Sequence, residues 1–288
     1  MNWSDIGDAM FGGVSDYGAI LALVSNSVIA GAVLGLVGGL VGVFVMQRDM
    51  AFAVHGISEL SFAGAAFALL IGWDVVTGSI VGSLIAAGLI GWLGARARDR
   101  NSFIGVLMPF GLGLGILFLS LYSGRSANRF SLLTGQIVSV QNAQLGWLIA
   151  ISILVLLGLL FIWRPLRFDS LDPQSAAARG VPVTAVSLGF MLLLGLIVAV
   201  AIHIIGALLV MALLVTPAAA AMRIASGPWS VPLLAAGFGF VSAVGGILLA
   251  IAGTLPVSPY ITTISFLIYL VCRLVGGRRG RVTRERIA

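Results

Sequence analysis

The sequence predicts an all-α, multi-pass membrane protein with about nine transmembrane helices, eight being the alternative. Three observations carry that prediction. Hydrophobic residues make up 60% of the 288 positions and charged residues only 9%, against roughly 25% charged in a soluble domain. Mean hydropathy is +1.14, so the bilayer takes the place of a globular core. Apolar runs near the ~20 residues needed to span a bilayer recur along the chain, at 18–46, 51–72, 75–94, 103–122, 146–163, 183–203, 205–222, 231–252 and 260–275. The runs 183–203 and 205–222 form one long stretch with His203 at the join, and the eight-span alternative makes one of them a half-helix. The whole chain reads as one transmembrane domain.

Composition also excludes functions. All sixteen basic residues are arginine. A phosphate-binding Walker A loop requires a lysine, so ATP is not bound that way, and a Schiff-base lysine for retinal or pyridoxal phosphate is absent. Cys272 is the single cysteine, which leaves no intrachain disulfide. The start, MNWSDIGD, lacks the basic segment and cleavage site of a signal peptide and reads as a mature N-terminus. No residue set suggests catalysis.

Orientation follows from arginine. With nine spans and an external N-terminus, Arg125 and Arg129 fall outside and the other fourteen arginines inside, a strong positive-inside bias. The basic tail, 276–288, reads as a cytosolic anchor beside anionic lipid, not as a nucleic-acid site. The external stretch 123–146 is long and polar, suited to cap the mouth or to dock a delivery protein, or to be an ordinary surface loop. The internal segment 164–182 is more specific. Asp172 can cap a helix start, Pro173 suits the first turn, and Gly180 suits the end. A short helix there is a handle for a partner protein or a capped linker. Close helix approach is available at Gly31/Gly35, Gly35/Gly39 and Gly78/Gly82, although chance alone accounts for any single such pair in a chain of 38 glycines.

The candidate site is the span MAFAVHGISELSFAGAAFALLIG, 50–72. At membrane depth the ionisable residues are His55, Glu59 and His203. Such a charge costs ~2.5–3.5 kcal/mol at a helix centre and marks function by default. His55 and Glu59, four residues apart, share one helix face, and Ser58 and Ser61 add polarity. Two imidazoles and a carboxylate suit a divalent transition metal; a proton relay is the other functional reading. His203 taken alone reads better as an interhelical hydrogen-bonding group.

The chain resembles the permeases of metal-type ABC importers, which carry zinc, manganese or iron, along nearly its whole length. Gly206 to Ala221, GALLVMALLVTPAAAA, looks like the family signature; LDPQSAAARGV, Leu171 to Val181, is similar to its cytosolic segment; and Asn128 to Val140 resembles a further stretch. Arg48, Met50 and Gly64 fit the motif around the candidate site. Where the family typically has Asp this chain has His55, and where it has His this chain has Glu59, so the ligand types are kept in reversed order. The resemblance implies a bacterial cell-membrane protein, a homodimer of permeases embedded in membrane lipid, two cytosolic ATPase subunits beneath, and an extracellular metal-binding protein above. It implies that the metal is substrate, not a resident cofactor; the ligand set expected from the intramembrane residues is His55, Glu59 and His203. It implies coupling to the ATPase through Leu171, Asp172, Pro173, Ala176, Arg179 and Gly180. Helix packing is expected through Gly31, Gly35 and Gly39, by their spacing, and through Gly206 and Pro217 of the signature run. Two alternatives are a siderophore- or corrinoid-type ABC permease and a proton-coupled secondary transporter with Glu59 as carrier.

Overall fold

The computed structural model describes residues 21, 23–93, 97–124, 137, 140–252 and 257–285. The N-terminal MNWSDIGD, Arg96, Arg125, Arg129, most of 123–146 and the final three residues lie outside the described residues. Among the described residues ten helices follow in order: α1 (Ser25–Gln47), α2 (Ala51–Ile71), α3 (Val75–Leu93), α4 (Ala97–Leu121), α5 (Asn142–Leu171), α6 (Pro173–Ala178), α7 (Val183–Ile205), α8 (Ala207–Ile224), α9 (Ser230–Ala252) and α10 (Val257–Glu285). Among the described residues eight are long and apolar enough to cross a membrane, and Leu209–Ile224 is a shorter apolar helix.

The long run 183–222 is divided at Gly206, whose φ of 80° and ψ of 157° fall in a region open essentially to glycine alone. Its N–H still donates to the Ile202 carbonyl, closing α7, and α8 starts at the next residue. The sequence therefore encodes two helices where hydropathy shows one stretch.

Several helix ends differ from the expected spans, the C-terminal ends of α5 and α10 most. The apolar run stops at Trp163, before Arg164 and Pro165, but α5 continues to Leu171 with Pro165 inside it. Likewise α10 runs to Glu285. Hydropathy measures the apolar thickness of the bilayer and says nothing of a helix that continues into water, where charged residues carry no such penalty.

The chain forms two compact units. One contains α1, α8 from Ala212 onward, α9 and α10. Here the glycines of α1 serve as contact surfaces, not as chance spacings. A Cβ on Gly35 would strike the Gly239 carbonyl of α9, one on Gly39 the Ala235 carbonyl, and one on Gly31 the Ile247 side chain. Gly42 lies against the Leu214 carbonyl and Gly38 near that of Leu213. Pro217, inside α8, cannot donate to the Leu213 carbonyl four residues back, so the glycine face of α1 meets α8 at the turn its own proline leaves open. Val43, Ala218, Ala221, Val231 and Ala235 form a buried cluster, and Ser265 of α10 donates to the Ala212 carbonyl at 3.0 Å.

The other unit contains α2 to α7. Its centre is α2, packed by α3, α4 and α7. Gly64, Gly78 and Gly82 bring the α2 and α3 backbones together: a Cβ on Gly82 would meet the Leu60 carbonyl, and one on Gly78 the Gly64 carbonyl. Ser61 then reaches across to donate to the Ser79 carbonyl at 3.0 Å. Phe62, Ala65 and Ala66 of α2 form a buried cluster with Leu119 of α4. The outward faces, such as Leu157, Leu160 and Phe161 of α5, are exposed and apolar, as a bilayer requires.

Asp172 behaves as its sequence position suggests. Its carboxylate accepts from the Gln174 and Ser175 backbone N–H groups at 3.1 and 3.0 Å, Pro173 occupies the first turn of α6, and Gly180 takes φ of 80° after the helix. The Ser175 hydroxyl and backbone bonds hold the Asp172 carboxyl below its usual value. A folded pKa below the unfolded one means that the cap is fully effective above the ordinary aspartate range, ~3.9, and is lost as pH falls through the lowered value. Hydrogen exchange should therefore show Gln174 and Ser175 amides protected at neutral pH, unprotected in Asp172→Ala, and nearly unchanged in Asp172→Asn, since Asn caps about as well.

Candidate functional site

His55 and Glu59 lie in the first half of α2, one turn apart. Met50, buried at the start of the helix, and Asp49, at a positive φ of 52°, set the tight turn from α1 into α2. Gly56 and Gly111 let α4 close against α2: a Cβ on Gly56 would touch Ile104, and one on Gly111 would press on the backbone at Glu59 and Leu60. The α4 contact thus fixes the segment of α2 that carries Glu59.

His55 Nε2 stands 3.5 Å from Glu59 Oε1. The carboxylate side chain is 8% exposed and the imidazole 29%. Beside them His55 Nδ1 and Ser58 Oγ are buried without a hydrogen-bond partner. An unsatisfied buried polar group costs about 1–3 kcal/mol, so a carboxylate, a second imidazole nitrogen and a hydroxyl on one helix face form an arrangement short of electrophilic partners. Chemically it can take a cation or a proton.

His203 is not brought to this pair. Helices α2 and α7 start at the same end of the unit, because Arg48, just before α2, donates to Ser187 near the start of α7 at 2.8 Å. At 1.5 Å per residue, His55 stands about 6 Å along α2 and His203 about 30 Å along α7. The partner of His203 is Gln144, at the start of α5, whose amide nitrogen lies 3.1 Å from His203 Nε2. The amide nitrogen donates, so the ring nitrogen accepts, and Nδ1 is left buried without a partner. Among the described residues no three His, Cys, Asp or Glu side chains gather as a metal-binding group. The alternation of spans already held this result: a residue near the start of one inward-starting helix and one near the end of another lie at opposite ends.

The pairing that the residue pattern did not reveal is Arg48 with Asp169. Arg48 Nη1 donates to Asp169 Oδ2 at 2.5 Å, with side chains 9% and 1% exposed. The clue available was Asp169 itself, an acid in the last turn of a helix, where the dipole disfavours it.

Comparison with known proteins identifies the family of the chain. The manganese transport system membrane protein MntC of Halalkalibacterium halodurans is 28% identical over 262 residues, 91% of this chain and 90% of that protein. The manganese import system permease protein ScaB of Streptococcus pneumoniae is 30% identical over 257 residues, 86% of this chain and 88% of that protein. A chain of the solved structure "PsaBC from Streptococcus pneumoniae in complex with Fab" superposes with a TM-score of 0.80 at 27% identity, covering 90% of this chain and 95% of that one. Residues 21–276 match the family described as the ABC 3 transport family, and this multi-pass membrane permease belongs to that family.

Proposed function

We propose that this permease imports a divalent transition metal, with manganese as the favoured substrate, driven by separate ATPase subunits. The observation that carries the reading is the buried Glu59 carboxylate beside His55, with a second imidazole nitrogen unpaired. A carboxylate and an imidazole suit manganese, iron and zinc alike; relatives named for manganese transport and import favour manganese. Among the described residues one chain gathers two such ligands, and a second copy facing it across a central path would complete the set. A set of so few ligands also releases its ion, as a transport site must. His203, with Gln144 at the other end of the unit, is assigned to the outer rim and not to the ion-binding set. The capped α6 segment, Leu171 to Gly180, is assigned to the ATPase contact, and an extracellular binding protein would deliver the ion.

The test is uptake by vesicles holding the permease with its ATPase subunits, supplied with ATP and with manganese, zinc or iron in turn. ATP-dependent manganese accumulation that exceeds zinc and iron is the expected result. Uptake that needs no ATP, or that follows an imposed proton gradient, would replace this reading with the secondary-transporter one.

A further inference from the structure

Arg48 holds three helices at one point. Its Nη1 binds Asp169, in the last turn of α5, and its Nη2 donates to Ser187 Oγ in the second turn of α7. Its own place in the chain is the turn that starts α2. Its guanidinium also lies 6.0 Å from the centre of the Phe190 ring. Helices α5 and α7 are the two arms that lead into and out of α6. The short α6 buries Ala176 fully, and Arg179, which follows it, lies over the Phe168 ring of α5 at 5.7 Å. A carboxylate at a helix C-terminus, 1% exposed, is opposed both by desolvation and by the helix dipole. It is retained there with a guanidinium whose planar fork reaches both arms, a geometry that a lysine ammonium does not reproduce.

We propose that Arg48 is the positioning residue that transmits movement of the α5–α6–α7 hairpin to α2, and so to His55 and Glu59. The inference rests on the importer reading above and adds how its two ends communicate. Displacing the hairpin shifts Asp169 and Ser187 together, and Arg48 carries both to the first turn of α2. His55 lies seven residues further along the same chain, on a rigid helix. A lysine at position 48 keeps the charge but holds only one arm, and Asp169→Asn weakens the other.

The experiment uses the permease–ATPase complex in lipid, comparing wild type with Arg48→Lys, Asp169→Asn and the exchanged pair Arg48→Asp/Asp169→Arg. ATP hydrolysis, metal transported per ATP, and spin-label distances at α2 and α6 are read for each. In Arg48→Lys and Asp169→Asn, hydrolysis is expected to stay within about twofold while metal transported per ATP falls about tenfold or more, the usual size of coupling between two sites. The label on α6 should still move on ATP binding and the label on α2 should not. Partial recovery in the exchanged pair adds support. If hydrolysis, assembly and transport fall in proportion, the pair is a structural support only and the proposal is overturned. Unchanged transport per ATP in both single variants overturns it alone, whereas a wild-type complex that imports no metal overturns the importer reading and this inference with it.

Discussion

Glu59→Gln is expected to abolish metal uptake while the protein remains in the membrane at wild-type level. The carboxylate is buried, with His55 Nε2 at 3.5 Å. Glutamine keeps its shape and removes only the charge. Loss of an outer partner to a metal ligand already costs about 10–100-fold in affinity, so removal of a ligand itself should cost at least about 100-fold. Folding should not suffer, since a charge at membrane depth opposes insertion by ~2.5–3.5 kcal/mol and the amide relieves that cost. Because the amide keeps the shape, the two roles separate: a packing role predicts normal protein that still transports, and an ion-binding role predicts normal protein without uptake. His55→Ala should behave alike, and the exchanged pair His55→Asp/Glu59→His, which restores the order seen in the resembling permeases, should recover uptake. Normal transport by both single variants, measured with protein levels checked, would move the ion path away from α2.

The sequence made much of this site legible and left specific parts hidden. Intramembrane charge is rare, so His55 and Glu59 were visible from hydropathy alone, and their four-residue spacing put them on one face. Capping is local chemistry, so Asp172, Pro173 and Gly180 announced α6 without any tertiary information. The ends of α5 and α10 were not legible, because apolarity marks the bilayer and not the helix. Arg48 and Asp169 are 121 residues apart in the chain, and nothing local connects them; Arg48 read as a topology-setting arginine and as part of the motif before α2, neither of which points to Asp169. His203 was grouped with the pair because residue type alone suggested it. Helix direction separates them, and direction comes from counting spans, not from the residues themselves.

Gly239→Ala is expected to destabilise the protein by about 3 kcal/mol or more, the upper end of overpacking costs. The reason lies in what the new methyl would meet. A Cβ on Gly239 would press on the Gly35 carbonyl oxygen, carbonyl carbon and Cα, and a Cβ on Gly35 would press on the Gly239 carbonyl and the Phe240 nitrogen. The contact is reciprocal and made entirely of backbone. A flexible side chain could turn aside; two helix backbones can only separate, and separation gives up the dispersion contacts along the whole α1–α9 seam, which drive helix association where lipid is as apolar as the side chains. Gly237 supplies the control. It stands two residues away on the same helix, with nothing within 4 Å of its would-be Cβ, so Gly237→Ala should be neutral or gain up to about 1 kcal/mol from helix propensity. Thermal or detergent-driven unfolding of the purified protein separates the two variants. Equal stability for both would show that α1 and α9 have room to spare at Gly35 and Gly239. Opposite signs would establish that the glycine spacing in α1, which chance alone can produce in so glycine-rich a chain, is held in place by the backbone it meets.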